Sequence, residues 1–312
     1  MDEYTRILLK VAKLYYQDNF TQQEIGEKLC LSRPKVSRML QQAREQNIVQ
    51  IRIFPPSEDF TELEINLERK FGLKEVVVAC VDDYDSETSV MRELGIAAAK
   101  FLHRIVQDNV LIGFTWGGFL SAMSDAIIPE NKNNLRIIQM VGGLGEPDTD
   151  IHAIDIVKRA AITLNAKLIL LPAPGIVETG EVHRILLSEK TIKYALDLLP
   201  EADIAFVGIE APGLNSMVVQ GNVIDPDEME QLIKSGAVGD IGLRFFDIQG
   251  NPIECELADR VIGASLPDLR KIPQTVGVAG GREKLDAILG AVRGNYINTL
   301  VTDQRTARQL LN

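Results

Sequence analysis

The chain has 312 residues, of which 46% are hydrophobic and 25% charged, and its formal net charge is −11 at pH 7. This composition is typical of a soluble globular protein, and the length is sufficient for two domains. No apolar run approaches the roughly 20 residues that a membrane span requires, and the N-terminus shows no signal-peptide pattern. We therefore expect a cytoplasmic protein without a membrane partner. The three cysteines and three histidines are dispersed, which predicts no metal site, no disulfide framework and no cofactor.

The charge is unevenly distributed along the chain. Residues 1–56 hold nine Lys and Arg against six Asp and Glu, whereas residues 57–312 hold 24 against 38. A basic head on an acidic body is compatible with an electrostatic contact to nucleic acid at one end. Because Pro55-Pro56-Ser57 ends the first module, we predict one domain over residues 1–56 and a second over residues 57–312.

Three helices are predicted in the first domain. Apolar residues recur at helical spacing over residues 5–17, and Thr21 with Glu24 forms the pattern of a capping box that starts a short second helix. Ser32 is expected to cap a third helix that ends near Gln46, with Pro34 in its first turn. The core face of this third helix is predicted to be Val36, Met39, Leu40 and Ala43.

The second and third helices are joined by a short turn, which is the helix-turn-helix arrangement. In such a pair the second helix enters the major groove of DNA by its N-terminal end, where side-chain donors contact bases and phosphates. The predicted DNA-binding residues are Thr21, Gln22, Ser32, Arg33, Lys35, Ser37 and Arg38. The alternative is an ordinary three-helix subdomain with a solvated basic face. Alternation over residues 48–54 predicts a following strand, which would form a wing.

A second amphipathic segment follows the junction. Phe60, Leu63, Leu67 and Phe71 lie on one helical stripe. The stripe is too short for a sustained coiled coil, so packing within the chain is favoured over pairing with a second subunit. A dimer is still expected, since paired helix-turn-helix units read paired half-sites.

The second domain alternates apolar runs with helical stretches, which predicts a mainly parallel sheet covered on both faces. The predicted strands are residues 75–81, 110–114, 136–141, 167–171, 204–207, 275–279 and 299–301. An antiparallel detour is expected between residues 243–248 and 252–254, with a turn at Gly250-Asn251.

Three glycine-rich turns follow predicted strands, at residues 115–118, 142–145 and 280–284. Ligands of parallel sheets bind outside the carboxyl ends of the strands, and glycine lets backbone N–H groups approach an anion. The set suggests a site for a phosphorylated or richly hydroxylated small molecule, with Arg282 or Lys284 as a counter-charge. The alternative for each glycine is ordinary turn chemistry. Trp116 would either wall the pocket or fill the core.

The whole chain resembles the SorC family of sugar-binding transcriptional regulators. The resemblance rests on KVAKLYYQDNFTQQEIGEKLCLSRPKVSRMLQQAREQNIV, IGFTWGG, VGG, the VGI at 207–209, GDIGLRFFD and GVAGGREKLDAILGAVRGNYINTLVTDQRTARQLL. It implies an α/β protein with an N-terminal winged helix-turn-helix and a large Rossmann-like effector-binding domain resembling sugar-phosphate isomerases. Members generally bind a sugar, sugar phosphate or polyol and often assemble as tetramers.

By the same resemblance, one end of the pocket would hold a phosphate and the other would face the sugar. The implied effector-binding residues are Thr115, Trp116, Gly117, Gly142 and Gly143 at the phosphate end, and Asp240 and Lys284 at the sugar. Two positions depart from the family pattern: Gly118 stands where Arg is frequent, and Glu210 where glycine is usual. Both departures favour a less charged effector, such as a free sugar or polyol.

The predicted function is a DNA-binding regulator of a carbohydrate-utilisation operon whose operator affinity changes when an effector binds. Its expected partners are double-stranded operator DNA, a sugar, polyol or sugar phosphate, and further copies of the chain as a dimer or tetramer. An isomerase is the first rival, with Glu210, Asp240 and Lys284 as candidate proton carriers, although the same groups would hydrogen-bond the hydroxyls of any sugar. The second rival is a constitutive DNA-binding protein whose large domain only oligomerises.

Overall fold

The computed structural model of the protein describes residues 2–49, 59–82, 86–143 and 153–312. The chain divides into two compact units, residues 1–58 and residues 59–312. Across the described ranges, none of the helices combines the length and the apolar character needed to cross a membrane.

The first unit is built from three helices: α1 (Glu3–Tyr16), α2 (Gln22–Leu29) and α3 (Arg33–Glu45). They enclose a small hydrophobic core to which each helix contributes, and the predicted core face of α3 is confirmed as buried. The capping box is also confirmed, because Thr21 and Glu24 bond each other's backbone N–H groups at the start of α2. The predicted strand over residues 48–54 lies mostly outside the described residues.

The predicted cap of the third helix needs a correction. Ser32 occupies the N-cap position, but its side chain makes no capping hydrogen bond. Its carbonyl oxygen instead accepts from the N–H groups of Lys35 and Val36 at 2.9 and 3.0 Å. The preceding turn passes through Cys30 in the left-handed region, with φ 54°.

The second unit is an α/β fold, and the predicted parallel sheet is confirmed. Its helices are α4 (Thr61–Phe71), α5 (Glu87–Ile105), α6 (Gly118–Ala126), α7 (Ala153–Thr163), α8 (Gly180–Ser188), α9 (Lys190–Leu198), α10 (Met217–Gln220), α11 (Pro226–Lys234), α12 (Leu266–Leu269), α13 (Leu285–Arg293) and α14 (Gln304–Leu311). Its strands are β1 (Glu75–Ala79), β2 (Leu111–Phe114), β3 (Arg136–Gln139), β4 (Lys167–Ile169), β5 (Ile204–Gly208), β6 (Gly239–Ile241), β7 (Arg244–Phe246), β8 (Gln274–Val278) and β9 (Thr299–Asp303).

Seven strands form one sheet in the order β1-β9-β8-β5-β2-β3-β4, and every pair in it is parallel. From β2 the chain proceeds outward through β3 and β4, then returns to β5 on the other side of β2. Six neighbouring strands of the sheet, β4-β3-β2-β5-β8-β9, thus follow the doubly wound order. In such sheets ligands bind where the order of the strands reverses. That point lies between β2 and β5.

Hydrophobic clusters cover both faces of the sheet. Neighbouring residues of β2 show this division, because Leu111 belongs to one cluster and Ile112 to the other. The stripe on α4 packs against the Leu111 cluster, with Leu67 fully buried, so the predicted packing within the chain is confirmed. The same helix protects the open edge of strand β1. Its Glu64 and Glu68 side chains accept hydrogen bonds from the backbone N–H groups of Val78 and Val76 in β1.

The predicted antiparallel detour is confirmed as a short pairing, and β7 also forms a ladder with the preceding strand that was not predicted. The ladder joins β6 to β7 through a two-residue turn, in which Gly242 and Leu243 have φ 60° and 66°. The predicted partner segment adds one bridge, between Phe246 and Pro252. On either side of it the Ile253 N–H donates to the Phe245 carbonyl and the Asp247 N–H to the Asn251 carbonyl, both at 2.9 Å. Proline has no N–H group to extend such a ladder, and the carboxylate of Asp240 accepts from the Leu243 N–H at 3.0 Å, which stabilises the tighter turn.

Candidate functional site

A cavity of about 750 Å³ opens at the carboxyl ends of β2, β5, β8 and β9. Trp116 reaches it from the loop after β2, Glu210 from the loop after β5, and Gly281 from the loop after β8. Asp303 lines it from the last position of β9. The cavity therefore lies at the reversal of the sheet, where a doubly wound fold binds its ligand.

Two carboxylates and a lysine form the centre of this cavity. Glu210 and Asp240 exchange both backbone hydrogen bonds, at 3.0 and 2.9 Å, which places their side chains side by side. Lys284 lies in the loop after β8, and its Nζ pairs with Oε2 of Glu210. Trp116, Asp240 and Lys284 are thus three predicted effector-binding residues that the fold brings to one cavity.

Burial dominates the electrostatics of Asp240. Its side chain is 5% exposed, and desolvation raises the pKa of the carboxyl to about 7, with the charge of Glu210 acting in the same direction. The N–H of Leu243 and the ammonium of Lys284 oppose this rise in pKa. Near neutral pH both the protonated and the ionised form of this carboxyl are therefore populated, and the first can donate to a hydroxyl group while the second can only accept from it.

Two hydrogen-bonding groups in the cavity wall have no protein partner within the described part of the chain. They are Nε1 of Trp116 and Oγ of Ser216, and both atoms are buried. Unsatisfied buried polar groups are rare because desolvation of each is costly. An oxygen-rich ligand in the cavity would satisfy both.

The glycine loop after β8 is fixed by the neighbouring helix. The N–H of Gly281 donates to Oδ2 of Asp303 at 3.0 Å and to Oγ1 of Thr306 at 2.9 Å. Asp303 also caps α14 by accepting from two of its first N–H groups. This N–H is therefore engaged within the protein, and the loop serves to present Arg282 and Lys284 to the cavity.

Thr115 and Gly117 are not among the described residues that line the cavity, although both flank Trp116, which does. Oγ1 of the buried Thr115 accepts from the N–H of Gly208 at 3.1 Å, which ties β2 to β5 beneath the cavity. Gly117 precedes α6 with φ 130°, and a Cβ at that position would lie 3.2 Å from Oε1 of Glu210. The positive φ therefore favours glycine at this position, and a Cβ there would contact Glu210 tightly.

Gly142 and Gly143 are not among the described residues that line the cavity. Their N–H groups donate to the carbonyl oxygens of Ile262 and Ala173, at 3.0 and 2.8 Å. Residues 144–152, which follow them, lie outside the described residues. A role for this turn in effector binding stays a prediction.

Sequence reasoning missed several residues of the cavity. Asp303 and Arg305 were detectable, because they follow the predicted strand over 299–301 at the same sheet edge as the glycine turns. Ser216 gave no such signal, since it stands in the long connection between β5 and α11. In the described ranges, no group of three or more His, Cys, Asp or Glu is arranged to hold a metal ion.

The predicted DNA-binding residues lie on the first unit, at the start of α2 and along the first half of α3. All are exposed except Gln22, which is half-buried; the exposed set is Thr21, Ser32, Arg33, Lys35, Ser37 and Arg38. Thr21 is already engaged, because its hydroxyl bonds Glu24 in the capping box. The cations of α3 therefore present the larger free donor surface.

Comparison with known proteins identifies the family. Residues 56–312 match the sugar-binding domain family. The chain is 33% identical to the deoxyribonucleoside regulator of Bacillus subtilis, over 99% of this chain and 98% of that protein. It is 30% identical to the sorbitol operon regulator of Klebsiella pneumoniae, over 98% of both. The crystal structure of that full-length regulator, SorC, matches with a TM-score of 0.76 and 29% identity over 100% of both chains. The chain therefore belongs to the SorC family of sugar-binding transcriptional regulators.

Proposed function

We propose that this protein is a cytoplasmic transcription regulator that binds operator DNA through residues 1–56 and a sugar, polyol or sugar phosphate through residues 57–312. In this proposal the first domain is a winged helix-turn-helix, and the effector-binding domain is related in fold to sugar-phosphate isomerases. The regulator acts as a dimer or tetramer that places its recognition helices on paired half-sites. Effector binding shifts operator affinity by a coupling of about 1–3 kcal/mol.

The first half of α3 supports the DNA-binding role. Arg33, Lys35 and Arg38 are exposed, while the core side of the same helix is fully occupied by the packing of α1 and α2. Arginine and lysine at the start of a recognition helix donate to phosphate oxygens and to guanine. The positive balance of residues 1–56 adds a sequence-independent attraction to DNA.

The cavity supports the effector role. It combines a buried carboxyl at Asp240, a Lys284–Glu210 ion pair and two unpartnered donors, which is the mixture that hydroxyl groups satisfy. Relatives over the full length are named for deoxyribonucleosides and for a sorbitol operon, and both names refer to polyhydroxylated compounds or their operons. The observation that carries the proposal is the position of this polar cavity at the reversal of the sheet.

We propose no catalytic step. Full-length relatives are named as regulators, and in this chain Lys284 is paired with Glu210 while the buried Asp240 carboxylate accepts from the Leu243 N–H. These groups are better suited to holding hydroxyl groups. Turnover of a bound sugar would overturn this part of the proposal.

The proposed function is tested in two steps. In vitro selection from random duplexes identifies an operator, and fluorescence anisotropy then measures affinity for it with and without each member of a sugar, polyol and sugar-phosphate panel. We expect salt-dependent operator binding and one class of effector that changes it. Binding of DNA that no panel member alters, together with no thermal stabilisation by any member, would favour the constitutive DNA-binding protein.

A further inference from the structure

The carboxylate of Glu210 occupies a position with two attractions for an anion. Its Oε2 pairs with Nζ of Lys284, in a cavity where the lysine side chain is 13% exposed. Its Oε1 lies 3.2 Å from where a Cβ would stand on Gly117, the residue that precedes the nine-residue helix α6. Helix N-termini favour negative charge, because their first N–H groups have no partner within the helix.

A lysine beside a helix N-terminus is a combination that commonly binds a phosphate group from solution. In this chain the anion is supplied by the protein itself, on a side chain held by the strand pairing of Glu210 with Asp240. A phosphate entering the same place would have to displace a tethered carboxylate from its lysine. It would also remain close to that displaced charge.

The rest of the cavity is equally unfavourable to a second anion. Its described lining contains five carboxyl groups, of which that of Asp240 is partly protonated near neutral pH, and three basic side chains. They are Glu87, Glu210, Asp240, Glu283 and Asp303 against Arg282, Lys284 and Arg305. The unpartnered donors, Trp116 Nε1 and Ser216 Oγ, are both neutral. A hydroxyl group both accepts from such donors and donates to carboxylates, which a phosphate dianion does not do.

We propose that Glu210 is the residue that restricts this cavity to uncharged, polyhydroxylated effectors, because its carboxylate fills the anion position between Lys284 and the start of α6. This inference rests on the proposed function of the cavity as the effector site and narrows the class of effector. It assigns Glu210 a specificity-determining role rather than a structural one.

The test uses the full chain and inorganic phosphate as the probe. Melting temperature is followed during titration with phosphate, against chloride at matched ionic strength, for the wild type, Glu210→Gln and Glu210→Gly. We expect no phosphate-dependent stabilisation of the wild type. Both variants should bind phosphate at least about tenfold more tightly than the wild type, because the carboxylate of Glu210 repels a second anion in the cavity. The two variants remove the charge with and without keeping the side-chain volume, so either one carries the test if the other folds poorly.

Glu283→Gln is the matched control. Glu283 lines the same cavity and its removal changes the net charge by the same amount, but it is exposed, and the carboxylate that pairs with Lys284 is that of Glu210. The control should gain much less phosphate affinity than Glu210→Gln, because the exposed carboxylate of Glu283 is screened by solvent. Lys284→Ala combined with Glu210→Gln should abolish the gain. Equal phosphate affinity in the wild type and Glu210→Gln, or an equal gain in Glu283→Gln, would overturn the proposal. Neither result would contradict operator binding or its response to an effector. The role of Glu210 can therefore fail while the proposed function stands.

Discussion

The two units of the chain present their functional residues in opposite ways. On the three-helix unit, Arg33, Lys35 and Arg38 are exposed on one short helix. In the α/β unit, Asp240 is buried and bound through its backbone to Glu210, which in turn pairs with Lys284. Substitutions on the surface of α3 should therefore act nearly independently, whereas substitutions in the cavity should be strongly coupled.

The largest expected effect is a change of stability with pH, caused by the buried carboxyl of Asp240 in the α/β unit. The pKa of Asp240 is about 7 in the folded protein against 3.8 without the fold, so between these values the folded state retains a proton that the unfolded state has lost. The free energy of unfolding should fall as pH rises through this window and level off above it. Between about pH 5 and pH 8 this carboxyl alone should lower the stability by about 3 kcal/mol.

Urea unfolding of the wild type and Asp240→Asn at the two pH values measures this difference. Other titrating groups are common to both proteins, so the contribution of Asp240 is the difference between their pH dependences. An identical pH dependence in the two proteins would show that the carboxyl titrates normally.

The second prediction compares a glycine that the packing requires with a neighbouring glycine that has free space around it. A Cβ at Gly142 would lie 2.5 Å from the backbone of Pro174, whereas at Gly143 the nearest atom, the Ala173 carbonyl oxygen, would be 3.9 Å away. Gly142→Ala should therefore destabilise the protein by about 1–3 kcal/mol through overpacking. Gly143→Ala should change stability by less than about 0.5 kcal/mol. Thermal unfolding compares the two, and equal losses would contradict the packing of this turn.

The smallest expected effect lies in the three-helix unit. Thr21→Ala removes a capping box and should destabilise α2 by about 1 kcal/mol. Ser32→Ala is the matched control, since Ser32 makes no side-chain capping bond and its removal should matter less. Hydrogen exchange of the α2 and α3 amide groups reports each helix separately. A larger loss for Ser32→Ala would contradict the capping geometry.

The features that could be predicted from the sequence are those that depend on residues close together in the chain. The capping box at Thr21 and the core face of α3 depend on residues within one or two helical turns, and both were predicted. The parallel sheet was also predictable, because buried strands appear as continuous apolar runs. The pairing around Gly250-Asn251 was predictable because that pair is a turn signal. The β6–β7 ladder was missed because its turn holds Leu243 at φ 66°, a conformation that leucine rarely adopts.

Only part of the cavity could be predicted from the sequence. Strand-end glycines located the right edge of the sheet, and family resemblance indicated Asp240 and Lys284, which line the cavity there. The Glu210–Lys284 pair joins positions 74 residues apart, so its existence follows only from the fold. Gly142 and Gly143 matched the same glycine pattern, yet their N–H groups bond Ile262 and Ala173. A glycine after a strand does not by itself distinguish a turn from a ligand site.

The central claim is a division of labour between the two units, and one paired measurement tests it. Operator affinity and effector affinity are determined for Arg38→Ala and Asp240→Ala, each shown to be folded. We predict that Arg38→Ala weakens operator binding by about 1–3 kcal/mol and leaves effector affinity unchanged. Asp240→Ala should bind operator normally and lose the response to effector. Loss of both activities in either folded variant would contradict the account.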